Sequence, residues 1–185
     1  MQAIILSGSR NPVGQTARAA QALLAGLTEA GAQGEIVYLP GCAIERCRQC
    51  DAAGWGTCRS AGTCVIEDDL AGLADRIRQA DLAVFATPVY WSDLSESLRA
   101  FLDRLRRCCL HESAKPGIVG KRAVGICVAG GGGGGAPTCT VSLERILRTT
   151  GFDLVDVLAV RRQNLPAKCA ELHLLGRWLA TEPQP

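Results

Sequence analysis

Four cysteines fall within eighteen residues in the pattern Cys47-x2-Cys50-x7-Cys58-x5-Cys64, and the acidic pair Asp68-Asp69 follows them. The segment is polar and carries Gly54, Gly56 and Gly62, so its thiols do not read as core packing. Soft ligands grouped at this spacing hold a metal ion or an iron–sulfur cluster. Cys42, just upstream, is a candidate spare or replacement ligand.

Three other segments have residue types suited to binding a phosphorylated, flat ligand. The first is Ser7-Gly8-Ser9-Arg10-Asn11-Pro12-Val13-Gly14-Gln15-Thr16, directly before a helical pattern. Hydroxyls, an arginine and small residues there suit an anion, because free N–H groups and the helix dipole both favour negative charge. No Gly-Lys-Ser/Thr follows, so it is not a Walker loop. An ordinary capped strand–helix turn has the same composition. The second is Thr87-Pro88-Val89-Tyr90-Trp91-Ser92, where Pro88 fixes the chain and two adjacent aromatics could flank a ring such as isoalloxazine. Either aromatic could equally pack beneath the next helix. The third is the run Gly130 to Gly135. In isolation it reads as a flexible linker. Between a buried strand and an amphipathic helix it reads as a loop whose backbone must approach a ligand closely.

The elements that must position these segments alternate along the chain. Ile4-Ile5-Leu6, Ile36 to Leu39, Leu82 to Ala86, Ala123 to Ala129 and Leu154 to Val160 are continuous apolar runs. Such runs suit strands buried on both faces of a parallel sheet. Between them the spacing turns helical, most clearly in Leu94, Leu98, Phe101, Leu102 and Leu105. Five strand–helix repeats predict a parallel sheet with helices on both faces, right-handed crossovers and the order 2-1-3-4-5. Ligands of open α/β sheets bind beyond the carboxyl ends of the strands at the switch in strand order, where the three loops converge.

At 185 residues the expectation is a single domain over 1–185, with a Cys-rich insertion at about 40–67. Hydrophobic residues at 48% and charged residues at 21% exclude wholesale disorder. A net charge of +2 gives no electrostatic case for nucleic acid or an anionic membrane. The opening MQAIILSGSR has too short an apolar run for an export signal, and no stretch approaches a membrane span, so a cytoplasmic location is expected. The ten cysteines therefore suit metal or thiol chemistry better than a secreted disulfide scaffold, which suits smaller chains.

The chain resembles the flavodoxin-like NAD(P)H-dependent FMN reductases and, within them, the iron–sulfur flavoproteins. Residues 8–16 (GSRNPVGQT), the cysteine segment running into 64–70 (CVIEDDL) and 86–104 (ATPVYWSDLSESLRAFLDR) carry the likeness, which covers roughly residues 1 to 160. The resemblance implies a flavodoxin-like three-layer α/β/α sandwich and an FMN-dependent oxidoreductase or electron-transfer flavoprotein. It implies NAD(P)H or a ferredoxin-like protein as electron donor, and assembly as a homodimer or homotetramer. Carried over, it implies that Ser9, Gln15 and Thr16 bind the FMN phosphate and that Pro88, Val89, Tyr90 and Trp91 lie along the ring. Gly130, Gly131 and Gly132 would approach from the other side, with Ser7, Gly14 and Ser92 in the same loops.

Two departures stand out. Arg10-Asn11-Pro12-Val13 replaces the family's usual Pro-Arg-Lys-Asn, so Arg10 would serve the phosphate from a shifted place. Seven residues separate Cys50 from Cys58, where the family's compact form has two. The resemblance implies a [4Fe–4S] cluster on Cys47, Cys50, Cys58 and Cys64, with a structural zinc or free thiols as the alternatives for these residues. For function, the alternatives are a structural zinc in an NAD(P)H:FMN or quinone-type reductase, and a non-enzymatic metal-binding or redox-sensing domain. No acid–base triad is apparent, and His111 and His173 read as surface or core residues. Cys127 reads as core, while Cys139, opening a helix, is a candidate reactive thiol.

Overall fold

The computed structural model describes residues 1–109 and 117–182, which leaves His111 outside the described residues. Its elements are β1 (Gln2–Ser7), α1 (Gln15–Glu29), β2 (Gln33–Tyr38), α2 (Thr57–Ser60), α3 (Leu70–Gln79) and β3 (Leu82–Pro88). There follow α4 (Glu96–Cys109), β4 (Arg122–Ala129), α5 (Ala136–Thr150), β5 (Asp153–Arg161) and α6 (Leu165–Thr181). All strand pairs are parallel, in the order β2-β1-β3-β4-β5. This is the flavodoxin-like sandwich that the alternating periods predict.

The two-residue period of each strand divides the core. Ile4, Leu6 and Phe85 point to the face covered by α3, α4 and α5. Ala3, Ile5, Val84 and Ala86 point to the face covered by α1 and α6. Side chains inside β1, β3 and β4 are therefore buried on both faces, as their unbroken apolar runs predict. The edge strands differ. β2 starts at Gln33, three residues before its apolar run, because an edge strand needs one pairing partner and tolerates the polar Gln33-Gly34-Glu35. Leu39, expected inside that strand, instead begins a short 3-10 turn.

The connection between β2 and α3 lies against α4. Its two ends are sewn together: Ala43 N–H donates to the Asp69 carboxylate at 2.7 Å, and Asp69 N–H donates to the Ala43 carbonyl at 3.0 Å. Between them the chain carries all four spaced cysteines and the short helix α2.

Candidate functional site

Where β1 and β3 part toward opposite neighbours, their carboxyl ends frame an open cavity of about 540 Å³. That volume lies within the ~300–1,000 Å³ of ordinary small-molecule sites. One wall is the β1–α1 loop, through Ser9, Asn11, Gly14, Gln15 and Thr16. Asn11 shapes this loop: its side-chain oxygen accepts from Val13 N–H at 3.0 Å, and its own N–H donates to Ser9 Oγ at 3.3 Å. Helix α1 then starts without a side-chain cap and without an acidic residue in its first turn. Its first N–H groups have no carbonyl partner within the helix and face the cavity with the positive end of the dipole. Gln15 Oε1 is buried with no hydrogen-bond partner. A polar atom left so in a cavity wall fits a ligand that supplies its partner.

The opposite walls are Pro88, Val89 and Tyr90 after β3, and Val128, Ala129, Gly130, Gly131 and Gly134 at the end of β4. Val89 N–H donates to the Val128 carbonyl at 2.9 Å, continuing the ladder past the formal strand end and fixing the two walls together. Beyond Tyr90 the chain reverses in a tight turn. Tyr90 and Asp93 exchange both backbone hydrogen bonds, and Trp91 and Ser92 have φ of 52° and 64°. Two successive non-glycine residues in the left-handed region are costly, and such strain gathers at functional sites. The turn puts Trp91 wholly in solvent at the cavity mouth, with Tyr90 and Val13 also exposed. Gly135 explains the glycine run in part. A Cβ there would stand 2.8 Å from Ser92 Cα, so only glycine lets the flap lie against the turn.

Nine of the fourteen ligand-binding residues expected from sequence line this cavity. Ser7, Arg10, Trp91, Ser92 and Gly132 do not. Ser7 is buried, and its hydroxyl accepts from Ser9 N–H. Arg10 points away into a neighbouring cavity of about 350 Å³ that shares only the Tyr90 wall. Ser92 backs onto Gly135, and Trp91 stands clear of the walls. Asn11, Val128, Ala129 and Gly134 are additional wall residues. Val128 and Ala129 read as strand core, so no sequence signal marked them as ligand-facing, whereas Asn11 and Gly134 lie within segments already read as ligand-binding.

Cys47, Cys50, Cys58 and Cys64 line a second, smaller cavity, together with Trp55, Arg104, Arg107 and Cys108. The two cavities share no lining residue. The seven residues between Cys50 and Cys58 are held by α4: Arg107 donates to the Gly54 carbonyl at 2.7 Å, and its guanidinium lies 4.6 Å from the Trp55 ring centre. Arg59 lies over the same ring at 5.5 Å. Among the described residues, no three His, Cys, Asp or Glu stand close enough together to hold one metal ion.

Cys42 lines the Arg10 cavity instead, with its thiol 3.8 Å from the Tyr38 carbonyl. The fifth thiol at the cysteine cavity is Cys108, four residues along α4 from Arg104. Burial, and then Cys64 and Cys58 nearby, push the Cys108 thiol up to about 12, which keeps it protonated at neutral pH. Cys139 is not a reactive surface thiol. It is wholly buried, beside Cys127, whose thiol is held far above its ordinary range by the hydrogen bond with Cys139 and by burial. His173 sits on the surface of α6, 2.9 Å from Glu29.

A family model described as NADPH-dependent FMN reductase matches residues 1–163. The chain belongs to this family. An iron-sulfur flavoprotein of Archaeoglobus fulgidus is 29% identical over 133 residues, covering 72% of this chain and 56% of that protein. An iron-sulfur flavoprotein of Methanocaldococcus jannaschii is 28% identical over 131 residues, covering 71% and 65%. The chain thus spans somewhat under two thirds of either relative. Among solved structures, an NAD(P)H:quinone oxidoreductase from Methanothermobacter marburgensis superposes with a TM-score of 0.70 at 22% identity, over 100% of this chain and 98% of that one. That likeness shows the fold.

In this FMN reductase family member an ion pair braces the turn at the cavity mouth beside its two backbone hydrogen bonds. Arg99 Nη2 lies 2.5 Å from Asp93, whose carboxylate also accepts from Leu94 N–H. Burial opposes the charged carboxylate, but the Arg99 and Leu94 hydrogen bonds outweigh it and hold Asp93 below the usual carboxylate range. A depressed folded-state value means the pair's contribution is whole above the unfolded value of about 3.9 and is lost as pH falls through the lower folded value. In a variant whose only tryptophan is Trp91, emission is therefore expected to stay constant from pH 7 to about 5 and to change only below about 4. A transition centred near pH 6 would contradict this assignment. Among the described residues no helix is long and apolar enough to cross a membrane.

Proposed function

We propose that the chain is a flavin-dependent oxidoreductase that binds FMN at the carboxyl-end cavity, is reduced by NAD(P)H or a small electron-transfer protein, and carries an iron–sulfur cluster on its four spaced cysteines. The observation that carries the reading is the first cavity: an uncapped helix N-terminus, an unpartnered buried Gln15 oxygen and a Pro88–Tyr90 wall converge on a space of about 540 Å³. These features fit a phosphorylated ring compound with a hydroxylated linker. The α1 amide groups with Ser9 and Thr16 would take the phosphate. Gln15 Oε1 would accept from a linker hydroxyl, and Pro88, Val89 and Tyr90 would border the ring opposite Gly130 and Gly131. FMN, when bound, supplies hydride acceptance together with one- or two-electron release. The chain's own residues orient the ring, cover one face and leave the mouth open beside Tyr90 and Trp91. The exposed Val13, Tyr90 and Trp91 around that mouth also support assembly of copies over it.

At the second cavity the donor set is purely thiol, with arginines on the α4 side, which suits an anionic iron–sulfur centre. The enclosed space is about 20 Å³, less than a cluster core needs. Cys50 is exposed on the outer side of this cavity. The relatives named as iron-sulfur flavoproteins support the same choice.

Cys50→Ala tests the redox reading. The variant is expected to keep its flavin, lose iron–sulfur absorbance and slow one-electron transfer. Parent-like behaviour in every redox assay would overturn the role of the cysteines.

A further inference from the structure

Arg104, one of the two α4 arginines at the cysteine cavity, is the largest fully buried side chain among the described residues, at 1% exposure. Its position on α4 places it beneath the cysteine cavity. Nη1 lies 2.5 Å from Asp68 Oδ2 and Nη2 lies 3.0 Å from Oδ1, a two-pronged ion pair whose carboxylate is 5% exposed. Nη1 also donates to the Glu45 carbonyl at 3.0 Å, just before the first cysteine. Nη2 donates to Cys64 Sγ at 3.3 Å. Asp68 in turn accepts from Glu45 N–H at 2.9 Å. One guanidinium thus joins the entry of the cysteine loop, its last sulfur and its exit. Its Nε is buried without a partner.

A loop clasp alone would not need a charge aimed at a sulfur. We infer that Arg104 is a positioning residue that sets the electron affinity of the iron–sulfur centre: its N–H to Cys64 and its buried positive charge favour the reduced form, and Asp68 partly offsets that charge. Adding an electron adds negative charge to the centre, so a hydrogen bond to a ligand sulfur and a nearby cation raise its reduction potential. Burial of both partners keeps solvent from screening the effect. The inference rests on the reading that the four cysteines hold a cluster.

The sign of the effect separates tuning from scaffolding. Arg104→Gln removes the cation and is expected to disfavour the reduced form at least tenfold, a fall of about 59 mV for one electron. Asp68→Asn removes the offsetting anion and is expected to shift the potential upward. The measurement is an EPR-monitored redox titration of anaerobically purified protein, with iron, sulfide and thermal unfolding recorded in parallel. If Arg104→Gln does not fold, Arg104→Lys takes its place: it keeps the charge on a single-point donor and is expected to fall between the parent and zero hydrogen bonding, below the parent. Opposite shifts support the inference. Potentials unchanged within threefold, shifts of the same sign, or a set in which neither arginine variant nor Asp68→Asn yields folded, loaded protein would show a merely structural clasp and overturn it. A parent protein without iron and sulfide would instead overturn the cluster reading beneath it.

Discussion

Gln15→Glu is expected to weaken FMN binding about 100-fold while leaving the fold nearly untouched. The substitution keeps the shape of a side chain that lines the cavity at the first position of α1. A carboxylate about 5 Å from a phosphate charge costs about 3 kcal/mol at an effective dielectric of about 20, and each ~1.4 kcal/mol is a factor of ten in affinity. The helix N-terminus favours the same negative charge by about 0.3–1 kcal/mol, which offsets part of the cost of a charge at the buried Oε1 position, so stability should move far less than binding. The check is fluorescence titration of the apo chain with FMN, beside its thermal unfolding. Equal FMN affinity in variant and parent would place the phosphate elsewhere.

Gly176→Val is expected to destabilise the chain by about 3 kcal/mol or more. Helices α1 and α6 cross backbone to backbone. A Cβ on Gly176 would stand 2.3 Å from the Leu23 carbonyl oxygen, and one on Gly26 would stand 2.0 Å from that of His173. Neither obstacle is a side chain that can rotate away, so overpacking costs reach or exceed the usual ~1–3 kcal/mol. At ~2–4 °C per kcal/mol for a chain of this size, unfolding should come about 6–12 °C earlier. Gly72 is the counter-example within α3: nothing lies within 4 Å of its added Cβ. Gly72→Ala should stabilise by about 0.5–1 kcal/mol, since alanine is the better helix former. Melting curves that moved in the same direction for both variants would contradict the close crossing.

Which parts of the molecule the residues announce follows from how local each signal is. β1, β3 and β4 are visible because burial on two faces demands unbroken apolar runs, and no other element of similar length needs them. β2 shifts at its start because pairing with β1 holds its first residues through the backbone, which no side-chain pattern reports. The phosphate loop and the Pro88–Tyr90 wall are legible for the same reason of locality: each sits at the end of one strand. Trp91 misleads, since its place is set by two residues with positive φ in a turn that the sequence Tyr-Trp-Ser-Asp does not advertise. Arg104 is hidden by distance. The acidic pair at 68–69 stands out at once, but its arginine is 36 residues away on the stripe of an amphipathic helix. The exchange of Cys42 for Cys108 as the nearby spare thiol has the same origin. Nearness along the chain suggests Cys42, whereas α4 carries Cys108 into the cavity wall.

The claim on which the rest depends is that the cavity at the carboxyl end of the sheet, not the cysteine loop, receives a phosphorylated flavin on the amino end of α1. Titrating the apo chain in parallel with FMN and with riboflavin tests it most directly. The expected result is one FMN per chain with quenched flavin fluorescence, and riboflavin at least about tenfold weaker because it lacks the phosphate. Unquenched FMN, or riboflavin bound as tightly as FMN, would contradict the account.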